Sequence, residues 1–280
     1  MTPNKEEIVL EELSSGILRL TLNDEKRRNA LSENMLDLLY AKMMAAAENS
    51  QVRVIILAAK GRVFCAGHDL KEITQARNSE DEGITYFKNL FDKCSEVMKA
   101  IVTNPKPVIA EVDGTATAAG CQIVASCDLA IASHSSRFAT PGVNIGLFCS
   151  TPMVALSRNV SNKHAMEMLL TGDMVDSKRA EQIGLINRAC DDTMLTDEVN
   201  AVANKIASKS SLTLAIGKKA FYQQSEMTLR KAYQYCCEVM VDNMLKRDAE
   251  EGISAFLTKR KPEWQDLEYS FRIGRAFFLC

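Results

Sequence analysis

Histidine is scarce in this chain of 280 residues: there are three, too dispersed to gather on one ion, and the nine cysteines include no C-x-x-C pair. A metal centre therefore has no footing in the sequence. Thiols scattered through apolar contexts read as reduced core residues of an intracellular protein. No apolar run reaches the roughly 20 residues that a membrane span needs, so no membrane partner is expected. Surplus charge is lacking as well, because 34 Lys and Arg stand against 36 Asp and Glu for a net charge of −2. Nothing there resembles the basic footprint of a nucleic-acid-binding chain. The opening residues Met1 to Glu7 lack the Arg-rich amphipathic character of a mitochondrial transit peptide, which leaves a cytosolic location open.

What the sequence does have is concentrated between Lys106 and Pro152. Pro107 to Val112 reads as a buried strand that Asp113-Gly114 breaks with a turn. Small residues follow from Thr115 to Gly120 and allow close backbone approach at the mouth of a helix starting near Ala119. Free N–H groups and the positive end of that helix suit a developing oxyanion. The stretch Val54 to Leu57, followed by Gly61 to Lys71, has the same strand, turn and helix-start character. Two such turns supply two converging amides. A looser third copy of the rhythm spans 129–160.

Around this centre, Ile8 to Asn23 reads as a hairpin about Ser14-Ser15-Gly16. Ser32 is an N-cap for a helix reaching about Asn49, with Met35, Leu38, Leu39 and Met43 on its apolar face. Gln75 to Glu82 reads as a mobile polar loop over the site. Ile84 to Ile101 repeats at helical spacing and ends before Pro105 and Pro107. Helices are expected at 163–170, 177–183, 196–209, 211–223 and 228–247, with a last turn over 248–259 and a short strand within 185–190. Wide apolar faces such as Leu229, Tyr233, Cys236, Met240 and Met244 predict subunit contacts. The expected organisation is a core over 1–162 carrying the site, a helical region over 163–264, and a tail over 265–280 with no assigned role.

Five ordered segments, FCAGHDLK at 64–71, VDGTATAAGCQ at 112–122, CDLAIAS at 127–133, FATPGVNIGL at 138–147 and EGISAFLTKRKPEW at 251–264, resemble the crotonase (enoyl-CoA hydratase/isomerase) superfamily. The resemblance implies an α/β fold, a spiral of ββα turns with a C-terminal helical oligomerisation region, and a homotrimer or dimer of trimers. It implies a mitochondrial location and an acyl-CoA thioester partner, with coenzyme A entering as part of the substrate and no separate cofactor. The backbone amides of His68 and Ala119 match the two oxyanion donors. Ala66 and its neighbours match the turn that faces the adenine and pantetheine. Lys71 matches a lysine on the coenzyme phosphates, Lys259 one at the nucleotide end, and Phe256 an aromatic beside the adenosine; each lysine also reads as a solvated surface charge. The loop 26–31, with Arg28 and Ala30, falls beside coenzyme A by resemblance, and Arg27 and Arg28 read equally as a solvated basic turn.

The departures lie where the chemistry is. Hydratases carry glutamates at the positions of Gln122 and Gly142, and neither an amide nor a glycine exchanges protons near neutral pH. A third acid of the dienoyl-CoA isomerases falls on Ser150. The superfamily's decarboxylases have a tyrosine where this chain has Cys149. A decarboxylase, isomerase or thioesterase relying on the oxyanion hole, a binder without chemistry, and a conventional hydratase all remain open. Cys149 as a nucleophile, and Asp69 and Glu72 as acids, compete with plainer roles in packing and helix capping. The His68 ring reads as packing, and Asp128 as structural.

Overall fold

A computed structural model describes residues 7–266. The chain divides into two compact units, one up to Ala207 and one from Ser208. In the first, β1 (Val9–Ser14) and β2 (Ile17–Leu22) form the expected hairpin, and α1 (Glu33–Glu48) starts at Ser32, whose side chain accepts from the Met35 amide. Then come β3 (Val54–Ala59), β4 (Val63–Cys65), α2 (Leu70–Ala76) and α3 (Ile84–Thr103). The next pair of strands is β5 (Val108–Val112) and β6 (Thr115–Thr117), leading into α4 (Ala119–Ser126). A third pair, β7 (Leu129–Ser133) and β8 (Arg137–Ala139), precedes a 3-10 turn at Pro141–Ile145, α5 (Pro152–Asn159) and α6 (Asn162–Thr171). The unit closes with β9 (Val175–Asp176), α7 (Ser177–Gln182), β10 (Arg188–Cys190) and α8 (Leu195–Ala207).

The repeat seen in the sequence is real in space. Each long strand of the three pairs enters one sheet and each short strand enters another. The larger sheet runs β1-β2-β3-β5-β7-β10 and the smaller β4-β6-β8-β9. Apart from β1 and β9 at their edges, the pairings are parallel. The strand β3 shows why its sequence carries no polar alternation: Val54, Ile56 and Ala58 pack under α8, whereas Ile55 and Leu57 face the main core with α1 and α3. A strand covered on both faces must be apolar throughout.

Backbone closeness fixes how successive repeats stack. A Cβ on Gly114 would lie 2.1 Å from the Arg62 carbonyl oxygen, and one on Gly120 would lie 2.1 Å from that of Cys65. Only glycine allows β6 and α4 to sit directly against β4.

The second unit holds α9 (Ser211–Ser225), α10 (Leu229–Met244) and α11 (Arg247–Leu257). Asp248 is buried and accepts from the Ser210 hydroxyl and from the amides of Gln265 and Asp266, which straps residues 260–266 along α11. Along α10 only Ala232 is buried, and Leu229, Tyr233, Met240 and Met244 are exposed. The tail lies outside the described residues from 267 onward.

One expectation needs correcting. Gln75 and Ala76 belong to α2, and the turn that follows is organised rather than open: Asp81 accepts from the Gly83 and Thr85 amides and from Ser79. An acceptor two to four residues ahead of a helix start does the work of a cap.

Candidate active site

The two turns expected to carry amides come together. Thr117 donates its hydroxyl to the Ala66 carbonyl at 3.1 Å. Gly67 sits at φ +90°, and a Cβ there would lie 2.9 Å from the Ala118 Cβ and 3.3 Å from the Ala119 nitrogen. The residue before His68 is thus packed on the residue carrying the second amide. Ala119 is the first residue of α4, so its N–H has no carbonyl one turn back within the helix. Ala118 holds φ 50° and ψ −119°, a conformation costing a non-glycine residue about 1–3 kcal/mol. Its own amide is tied to the Ala139 carbonyl at 2.9 Å.

The 26–31 loop braces the first turn. The Ala66 amide donates to the Arg28 carbonyl at 3.1 Å and the Leu31 amide to the Gly67 carbonyl at 2.8 Å. Ala30 is buried, Arg28 is exposed with φ 57°, and Lys71 is exposed on α2. Sequence reasoning passed over Asn29. It is fully buried at φ 52°, donates to the carbonyls of Lys60 and Val63 and accepts from the Asp24 amide, so one side chain closes the loop. An asparagine directly after two arginines was the available signal, since asparagine tolerates the left-handed region.

The carboxylates near the first turn are engaged. Asp69 caps α2 through the Lys71 amide at 2.8 Å. Glu72 accepts from the Glu33 amide and from the Tyr86 hydroxyl, both at 3.1 Å. The guanidinium of Arg27 lies 3.6 Å from Asp69 and 3.7 Å from Glu72, so it serves these carboxylates within the chain. Desolvation and the neighbouring Glu72 hold the Tyr86 phenol protonated, well above its ordinary range. Asp128 accepts from the Val108 amide at 2.7 Å, the structural part expected of it.

Gln122 is buried in α4, where its side-chain oxygen faces the Cys94 thiol of α3 at 4.0 Å. Gly142 is buried in the turn after β8 and lies outside the left-handed region. A Cβ there would meet the Leu147 carbonyl oxygen at 2.8 Å and the Cys149 sulfur at 2.9 Å. The space a side chain at 142 would need is therefore filled by the loop 147–149. Ser150 is exposed and, among the described residues, its hydroxyl and its amide both donate to the Phe148 carbonyl. Burial raises the Cys149 thiol, the Gly142 backbone offsetting part of the rise, and pushes Cys121 and Cys94 up to about 12. Protonated thiols are poor nucleophiles. Phe256 and Lys259 belong to the second unit, both exposed, with Lys259 at φ 56°.

The His68 ring packs edge-on to Phe91 at 5.4 Å between centroids. Both its nitrogens are buried, and neither has a hydrogen-bond partner among the described residues. Desolvation lowers its pKa, while the Leu31 backbone, close but outside hydrogen-bond geometry, offsets part of the shift.

A family model described as Enoyl-CoA hydratase/isomerase matches residues 12–267. Enoyl-CoA hydratase domain-containing protein 3, mitochondrial, of Mus musculus is 49% identical over 249 residues, 89% of this chain and 81% of the relative. The crystal structure of human enoyl Coenzyme A hydratase domain-containing protein 3 shares 46% identity at a TM-score of 0.88, covering 92% of this chain and 100% of that one. A Mycobacterium smegmatis enoyl-CoA hydratase structure shares 48% at a TM-score of 0.88, covering 92% and 99%. The ordered motifs, the stacked repeats and these likenesses agree, and the chain belongs to the enoyl-CoA hydratase/isomerase family.

Proposed function

We propose that this chain binds acyl-CoA thioesters, holds the thioester oxygen between the His68 and Ala119 amides, and hydrates enoyl-CoA poorly. The supporting observation is that the two amide-bearing turns are locked together while neither position of the usual acids carries one. Gln122 faces a thiol and Gly142 is closed by Leu147 and Cys149. Two missing acid–base groups would cost roughly 10² to 10⁴ in rate each. An oxyanion hole alone still favours any reaction passing through an enolate or tetrahedral oxyanion, which keeps decarboxylation, isomerisation and thioester hydrolysis within reach. The engaged states of Gln122 and Gly142 also favour a second reading, a binding or regulatory protein without turnover.

Lys71 and Lys259 are the proposed contacts to the coenzyme's phosphates, with Phe256 beside the adenosine and Ala30, Arg28 and the Ala66 turn along the pantetheine and adenine. The relatives named mitochondrial support that compartment for this chain. Exposed apolar residues on α10 support a trimer or a dimer of trimers, which sedimentation would test: a concentration-independent monomer contradicts it.

The deciding experiment measures crotonyl-CoA binding and hydration on the same protein. Tight binding with hydration at least ~10²-fold below ordinary hydratases supports the reading; ordinary hydration rates overturn it. Gln122→Glu alone is expected to raise hydration modestly. Gly142→Glu is expected to fold badly, because of the Leu147 carbonyl and the Cys149 sulfur rather than any positive φ.

A further inference from the structure

Gln122 follows Ala119 by three residues in α4, so the two share one face of the helix. A helical side chain leans toward the N-terminal end of its helix, here toward the amide that would hold the thioester oxygen. The carboxamide is held from the other side by α3. Cys94 donates its thiol hydrogen to Oε1 at 4.0 Å, and Phe91, three residues earlier on α3, packs on the His68 ring of the first turn. The group therefore lies between the helix that carries the second amide and the helix that packs on the first turn.

The two ends of this carboxamide differ. Burial keeps Cys94 a thiol, its pKa pushed up to about 12, so a hydrogen rather than a thiolate faces the group and the oxygen end is the one engaged. The nitrogen end has no hydrogen-bond partner among the described residues. It is not sealed either. The described side-chain atoms both buried and unpartnered are the two His68 nitrogens, the Thr140 hydroxyl and the Asn243 oxygen, and the Gln122 nitrogen is not one of them. Within a residue only 5% exposed, that nitrogen reaches open space with two N–H donors.

The chemistry of the surroundings decides what such donors can hold. A carboxylate would need a cation beside it, and the Arg27 guanidinium is already held by Asp69 and Glu72. A hydroxyl brings a hydrogen that needs an acceptor, and the acceptor end of the carboxamide is turned to Cys94. A neutral carbonyl oxygen needs donors only. Gln122 is one helical turn from Ala119, so its reach is to a group close to the thioester carbonyl rather than to the chain end.

Resting on the acyl-CoA reading, we propose that Gln122 determines specificity: its Nε2 donates to a carbonyl oxygen on carbon 3 of the acyl chain, and the site selects 3-oxoacyl thioesters. A carboxamide donates without exchanging protons, so the residue selects a ligand where a glutamate would catalyse. A site built to hydrogen-bond a ligand group discriminates against analogues lacking it, because its own donors are left unpaired.

The test is calorimetry on the full chain with acetoacetyl-CoA, butyryl-CoA, 3-hydroxybutyryl-CoA and malonyl-CoA. Acetoacetyl-CoA is expected to bind at least ~10-fold tighter than each of the others. In Gln122→Met, close in shape but without donors, the preference for acetoacetyl-CoA over butyryl-CoA should fall to near unity with the melting temperature close to wild type. Acetoacetyl-CoA binding wild type no tighter than butyryl-CoA overturns the proposal, and that comparison needs no variant. So does malonyl-CoA or 3-hydroxybutyryl-CoA binding as tightly as acetoacetyl-CoA, or a preference kept in folded Gln122→Met. A wild type that binds none of the four overturns the acyl-CoA reading itself.

Discussion

The two turns that meet at the site are built from the same strand-turn-helix unit but stabilised in opposite ways. The first leads into a short helix, capped by Asp69 and surrounded by Arg27, Glu72 and Tyr86, with much of its face in solvent. The second leads into a helix in which every residue is buried, with no side-chain cap and a strained Ala118 in front of it. Backbone bonds to residues 28–31, a cap and nearby charges hold the first turn, whereas packing holds the second. A capping side chain at the second turn would itself satisfy an amide needed by a ligand, so its absence is consistent with a site there.

The difference predicts where the molecule breaks. Gly120→Ala should be the most damaging change, because its methyl meets the Cys65 carbonyl at 2.1 Å; a loss of about 3 kcal/mol or more is expected, seen as insolubility or a steep fall in melting temperature. A well-folded Gly120→Ala protein would show that the second turn is not held by packing. Asp69→Ala should cost about 1 kcal/mol through the lost cap, measured by urea unfolding, and high salt should shrink the Arg27 part of that effect.

These magnitudes bear on what the sequence could reveal. The hairpin, the Ser32 cap, the long α3 helix and the triple repeat were legible because each rests on local periodicity or a turn signal. Gly114 and Gly120 showed their small size, but the carbonyls they make room for lie about 50 residues away in the chain. The same non-locality hid Arg27, which reads as a coenzyme contact or a solvated charge until Asp69 and Glu72 are placed beside it. Gln122 and Gly142 read from the sequence as replacements of acids, whereas the closure of Gly142 by Leu147 and Cys149 needed the folded loop. The His68 ring read as packing, and it packs edge-on against Phe91, a contact that only the fold reveals.

A smaller effect follows from pH. Burial lowers the His68 pKa in the folded state below its value of about 6.5 in an unfolded chain. The associated stability is complete above that unfolded value and is lost as pH falls through the folded one. Stability measured against pH should therefore decline less steeply on the acid side in His68→Asn than in wild type; identical profiles would show that the ring is not desolvated. Smallest of all is Ala118→Gly. Relief of the strain at φ 50° and the larger backbone entropy of glycine nearly cancel, so stability should change by no more than ~1 kcal/mol, while looser placement of the Ala119 amide weakens thioester binding.

The proposed convergence of the two unlike turns on one carbonyl oxygen can be read at that oxygen by vibrational spectroscopy. The thioester C=O stretch of crotonyl-CoA, recorded as a difference spectrum with carbonyl-labelled ligand, should move to lower frequency on binding to wild type, with much of that shift lost in Ala118→Gly, while hydration stays slow. A bound ligand whose carbonyl stretch matches that of crotonyl-CoA in water would contradict the claim.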